Sequence, residues 1–148
     1  MSKPADVSFD LTRHIRDRCL CLHVQRAARA VARRFDEALR PLGLTNGQFS
    51  LLTSLNRPQP ARVGPVASLL AMDRTTLTAA LKPLTRRGLV CVARDATDRR
   101  SRVLTLTPAG KRLLARAVPI WKQTHEAIEH LLGQADPKLL RRDLRALS

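Results

Sequence analysis

Apolar residues recur at three- and four-residue steps from Leu11 to Leu39. Leu20, Val24, Ala27, Ala28, Val31, Phe35 and Ala38 form one stripe, while Arg26, Arg29 and Arg33 lie on another face. The pattern predicts a single helix of roughly 40 Å. Such a helix either crosses the whole domain or packs partly on another chain. "PLGLT" then breaks the period. Thr45 followed by Gln48 reads as a capping box, opening a short helix from Asn46 to Asn56 that buries Phe49, Leu52 and Leu55. "RPQPARVGP" reads as a loop. Pro65 suits the first turn of the next helix, which holds Val66, Ala67, Leu69 and Leu70. After "AMD" a further helix starts with Asp73 as N-cap. Its apolar face is Leu77, Leu81 and Leu84, and Gly88 ends it.

The period now changes from helical to alternating. "LVCVA" and "RVLTLT" read as two short strands around an arginine-rich turn. Thr107-Pro108 forms an N-cap and N1 pair opening a long helix, with Leu114, Val118, Trp121, His125, Ile128 and Leu132 in a heptad-like stripe. Gly133 stops it, and Asp136-Pro137 begins a last helix carrying Leu139, Leu140, Leu144 and Leu147. The predicted fold class is mainly α with a small β-hairpin. With three Phe, one Trp and no Tyr, the core must come from Leu, Val, Ala and Ile, which suits helices. A chain of 148 residues makes one domain.

Charge adds a function class. The formal net charge is +15, and 22 of the 27 basic residues are Arg. Compositional bias alone would spread them evenly. Instead, Arg57 to Arg116 holds thirteen Lys or Arg against three Asp, a net +10. A localised excess of this kind is an electrostatic footprint for phosphates. The first twenty residues lack the apolar core of a signal peptide, and no apolar run approaches a membrane span, so the expected location is cytoplasmic with no membrane partner.

The segment from Pro65 to Arg87 reads as a helix-turn-helix. In such a unit the second helix enters the major groove and its N-terminal residues reach the bases. Here that helix offers Arg74 and Thr76 in its first turn, and Thr75, Thr78, Lys82 and Arg86 along its outer face. Arginine pairs bidentately with guanine, and threonine brings a hydroxyl and a methyl. An ordinary solvated polar face would look similar. The turn that follows, "ARDATDRRSR", decides between them. A hairpin loaded with Arg99, Arg100 and Arg102 beside a helix-turn-helix is a wing, whose tip arginines can enter a narrow minor groove. Asp98 is expected to hold one of these arginines in position. Pro83 removes one helical hydrogen bond, so either the helix kinks there or its last turn is a separate piece.

Three stretches resemble the MarR family of transcriptional regulators, in the family's order, over about Cys19 to Leu132. They are "LRPLGLTNGQFSLLTSL", "VASLLAMDRTTLTAALKPLTRRGLV" and "DRRSRVLTLTPAG". The last fits the wing pattern D-x-R-x5-L-T-x-x-G through Asp98, Arg100, Leu106, Thr107 and Gly110. The resemblance implies a winged helix-turn-helix lobe over residues 45–107. Residues 11–40 and 108–148 would be dimerisation helices of a single 1–148 unit. It implies a homodimer on a pseudo-palindromic double-stranded DNA operator, usually as a repressor. It also implies a cleft for a small, often phenolic or anionic effector. Arg16, His23 and Arg26 are candidates to line that cleft.

Cys19, Cys21 and Cys91 are an odd number and form no disulfide framework. As a metal site "CLCLH" fails, because Cys21 points away from the face shared by Cys19 and His23, so no metal or other cofactor is expected. Cys21 lies 24 residues before Thr45. This matches the reactive cysteine of family members that sense organic hydroperoxides, which makes a thiol-based switch at Cys21 an alternative. The tyrosines such sensors use are replaced here by Gln25 and Phe35. Otherwise Cys19 and Cys21 are packing residues, and Cys91 is expected in the core. An enzyme is not expected. There is no phosphate-binding glycine loop, HExxH, GxSxG or paired carboxylate, and His14, His23, His125 and His130 share no acid or nucleophile pattern. A non-specific architectural or RNA-binding protein is a further alternative, permitted by charge but lacking aromatic stacking surfaces.

Overall fold

The computed structural model describes residues 6–148. Helix α1 (Phe9–Arg18) and helix α2 (Leu20–Leu39) stand where the periodicity predicts one continuous helix. Cys19 interrupts it with an extended backbone, φ −66° and ψ 108°. Its N–H closes α1 on the Ile15 carbonyl at 2.8 Å, while its Sγ accepts from Leu22 N at 3.5 Å and caps α2. The side-chain period runs through the break, so spacing alone does not reveal it.

A single 3-10 turn (Arg40–Leu42) and Gly43, at φ +65°, redirect the chain into α3 (Asn46–Ser54). The Thr45–Gln48 capping box forms in both directions. Asp36 fastens this corner from α2, its Oδ1 accepting from Asn46 N at 2.7 Å and Asn46 Nδ2 at 2.8 Å. The Asn46 backbone N–H is the main reason that the Asp36 carboxyl lies below its ordinary pKa.

The loop after α3 is shorter than its proline-rich sequence suggests. Ala61–Arg62 form strand β1, leading directly into α4 (Val63–Leu69). Then come α5 (Arg74–Arg86), β2 (Val90–Arg94), β3 (Arg102–Leu106), α6 (Pro108–His130) and α7 (Pro137–Ala146). The hairpin is thus part of a three-stranded antiparallel sheet in the order β1-β3-β2. β1 is only two residues long, too short for an alternating pattern to betray it.

Asp73 caps α5, accepting from Thr76 N at 2.7 Å. α5 runs unbroken through Pro83 to Arg86, so its last turn is not a separate piece. Leu77, Leu81 and Leu84 anchor it, all buried. α6 likewise continues through Pro119. Thr107 joins the two helices: its hydroxyl donates to the Gly88 carbonyl at 2.6 Å and accepts from Gly110 N at 3.0 Å.

One apolar core links the α2 end, α3, α4, α5, the sheet and the first half of α6. Leu39, Leu52, Leu77, Leu84 and Leu104 are fully enclosed. The outer helices differ. α1 and α7 bury no residue, and Phe9, Ile15, Leu20, Leu139, Leu140 and Leu144 are exposed in the lone chain. Leu69 of α4 is 71% exposed, and Cys91, expected in the core, is exposed as well. In the register of β2 on β3, buried Val90 opposes Leu106, and Cys91 opposes Thr105 on the other face of the sheet. Among the described residues no helix is long and apolar enough to cross a membrane.

Candidate nucleic-acid interface

α5 meets the requirements of a reading helix. Its buried leucines fix one face, which leaves Arg74, Thr75, Thr76, Thr78, Lys82 and Arg86 exposed. The Thr78 hydroxyl donates back to the Arg74 carbonyl at 2.8 Å, and the residue is exposed. Arg74 is partly turned back: its guanidinium packs over Gly64 in α4, where an added Cβ would lie 3.0 Å from Nη2. The turn between α4 and α5 holds Ala71 at φ 51°, a left-handed conformation without glycine.

The wing follows after three residues. Arg99, Arg100 and Arg102 are exposed, and none makes a salt bridge among the described residues. The turn carrying Arg99 and Arg100 is closed by Asp95 N to the Ser101 carbonyl and Ser101 N to the Asp98 carbonyl, both 3.0 Å, and Arg102 opens β3 directly after it. Asp98 orients this tip, but not by holding an arginine side chain. Its carboxylate accepts from the Arg100 backbone N–H and the Ser101 hydroxyl, each at 3.0 Å. An Asx turn competes well for a carboxylate two residues upstream of a free N–H, and that local partner wins. The acid that does meet a guanidinium is Asp95, with Arg62. Sequence reasoning misses this pair. The one signal for it is an unexplained second acid in a basic turn.

Two clefts open beside this lobe. One, about 1200 Å³, lies between α2 and α6 and includes Arg33, Arg34, Ile120 and Ile128. The other, about 590 Å³, lies between α3, α4 and α6, lined by Phe49, Ser50, Thr53, Ser54, Arg57, Leu69, Leu70 and Trp121. Trp121 stacks between Phe49 at 6.4 Å and His125 at 4.7 Å. Arg16, His23 and Arg26 line neither cleft. They are exposed on α1 and α2, with Arg16 paired to Asp17 at 2.6 Å and His23 Nδ1 2.7 Å from the Cys19 carbonyl. Cys21 is exposed, and the Gln25 amide Nε2 donates to its Sγ at 3.3 Å. No group of His, Cys, Asp or Glu suited to a metal ion occurs among the described residues.

Comparison with known proteins agrees with this geometry. The MarR family model matches residues 44–101, from just before α3 to the turn of the wing. The chain is 36% identical to the transcriptional regulator MosR of M. tuberculosis, whose structure was solved in complex with DNA. The superposition covers 87% of this chain and 92% of MosR, with a TM-score of 0.79. It is 30% identical to the organic hydroperoxide resistance transcriptional regulator of Bacillus subtilis, over 68% of this chain and 69% of that protein. It is 39% identical to the transcriptional activatory protein BadR of Rhodopseudomonas palustris. That match spans 50% of this chain and less than half of BadR, 44%. The reading helix, the wing and these likenesses converge: the chain belongs to the MarR family of winged helix-turn-helix, DNA-binding transcriptional regulators.

Proposed function

We propose that the protein is a homodimeric repressor that binds a pseudo-palindromic operator and releases it when a small aromatic or anionic effector binds. The observation that carries the DNA part is the exposed basic set on α5 and the wing, at Lys82, Arg86, Arg99, Arg100 and Arg102, with no acid paired to it among the described residues. Arg74 to Thr78 supply base contacts, and the wing arginines supply minor-groove and phosphate contacts. The dimer is supported by α1 and α7, whose exposed leucines and Phe9 make an apolar surface that a lone chain leaves in water. The cleft of Trp121 and Arg57 suits the effector: it offers aromatic walls, one cation and a position between the α6 stalk and α4 of the reading unit. Selection from a random duplex library tests the reading. A specific regulator recovers a two-fold symmetric site and prefers it over bulk DNA by about a thousandfold or more. An architectural protein recovers no site.

A second reading has its own observation. The Gln25 amide donates to the exposed Cys21 thiol, which places a hydrogen-bond donor where a thiolate would need one. The likeness to a hydroperoxide-resistance regulator supports a redox trigger at Cys21. Cumene hydroperoxide then releases DNA from the wild type and not from Cys21→Ser; equal release from both excludes it.

A further inference from the structure

Asp95 sits where the wing leaves the sheet, and it is the least exposed carboxylate of the wing, with its side chain only 12% exposed. An acid beside a phosphate-facing turn opposes DNA unless its charge is used elsewhere. Both its oxygens are used. Oδ1 accepts from the Thr97 backbone N–H at 3.1 Å and the Thr97 hydroxyl at 3.2 Å, setting the first bend of the turn. Oδ2 is buried, has no aligned hydrogen-bond donor among the described residues, and lies 2.6 Å from Arg62 Nη2. Arg62 belongs to β1 and is the N-cap residue of α4, the first helix of the reading unit. β1 pairs with β3 through only two residues, so its ladder alone gives the wing little purchase on α4.

We propose that the Arg62–Asp95 pair is a wing-positioning element, an intramolecular strut that fixes the arginine tip relative to the reading helix. Arg62 is in this view not a DNA contact, although it is a partly exposed arginine in the most basic part of the chain. Its charge is spent on Asp95. The strut spans the sheet from β1 to the end of β2, and the closed turn from Asp95 to Ser101 carries Arg99 and Arg100 at its tip. Holding the tip in place before DNA arrives removes an ordering cost from binding. This role rests on the wing's proposed contact with DNA.

The sign of one substitution separates the strut from bulk electrostatics. Asp95→Asn keeps the Thr97 acceptor but removes one negative charge near DNA. Electrostatics alone predicts tighter binding. The strut predicts binding weaker by about five- to tenfold, as the tip loses its pre-ordering. Affinities are measured by fluorescence anisotropy on the duplex selected by the wild-type protein, with A·T-rich and G·C-rich versions of the wing-flanking base pairs. Arg62→Ala weakens binding to a similar degree, and the double variant is no worse than either single one, because both break the same pair. In all three the preference for A·T flanks shrinks. The exchange Arg62→Asp with Asp95→Arg restores part of the affinity and keeps the series informative if one single variant melts early. Tighter or unchanged binding by Asp95→Asn, or additive effects of the two single changes, overturns the proposal. Arg99→Ala with Arg100→Ala runs alongside. If that pair weakens binding while Asp95→Asn does not, only the strut falls. If that pair is also silent, the wing reading itself falls.

Discussion

Gly110, in the first turn of α6, is pressed against the backbone of Leu89, so that an added Cβ would overlap the Leu89 carbonyl oxygen. The same carbonyl accepts from Thr107 N at 3.1 Å, and the Thr107 hydroxyl reaches the Gly88 carbonyl. This explains the L-T-x-x-G spacing in physical terms. The threonine caps α6 and grips the end of the reading helix, while the glycine lets the two backbones meet. Gly110→Ala therefore overpacks a junction that cannot yield at a side chain. It is expected to cost roughly 1–3 kcal/mol, read as a lowered denaturant midpoint. An unchanged midpoint would show that α6 can move away from β2.

Ala71 presents the opposite case. It holds φ 51° in the turn of the helix-turn-helix, where a Cβ is unfavourable. Ala71→Gly relieves that strain at some cost in unfolded-chain entropy, and a net gain of about 0.5 kcal/mol or more is expected. A calorimetric melt checks it: Tm should rise. A fall would mean that the turn makes apolar use of the alanine methyl.

Three aspartates make stability depend on acid. Backbone N–H groups of Asn46, Thr76 and Thr97 are the main cause holding Asp36, Asp73 and Asp95 below the ordinary value of 3.8. A carboxylate with a lowered folded pKa contributes stability that is complete above its unfolded pKa. That contribution disappears as pH falls through the folded value. Thermal melts should thus be flat near neutrality and fall steeply below about pH 4. Asp36→Asn should lower Tm at neutral pH and flatten the acid limb. A wild-type Tm independent of pH in that range would rule out these caps as the source.

The terminal helices predict an oligomer. Leu140 and Leu144 lie on the exposed face of α7, 40% and 43% accessible in the lone chain. Leu140→Asp with Leu144→Asp should shift sedimentation from dimer toward monomer and weaken DNA binding with it, since two half-sites no longer act together. A wild-type protein sedimenting as a monomer would exclude the dimer.

The sequence is most informative where local chemistry decides. The caps at Thr45, Asp73, Thr107 and Asp136 are side-chain events within three residues, and each forms. The leucines of α5 follow from the helical period. What escapes leaves no mark on the local pattern. The break at Cys19 leaves the stripe intact, β1 is two residues long, and Arg62 meets Asp95 only because the sheet brings them together. Arg16, His23 and Arg26 resemble cleft residues in charge and in position along the chain. They line neither cleft of the lone chain, and the second cleft joins Trp121 of α6 to Arg57 of the loop after α3, 64 residues apart in the chain, a meeting no spacing rule encodes.

α5 and the wing should hold DNA as one grip, and the salt dependence of binding shows whether they do. Wild type and Arg99→Ala with Arg100→Ala are titrated against the selected duplex over a range of salt. The variant should bind more weakly. Its slope of log K against log salt should be shallower by about 0.9 for each phosphate it no longer neutralises. Equal affinity and equal slope for the two proteins would mean that the wing takes no part in holding DNA.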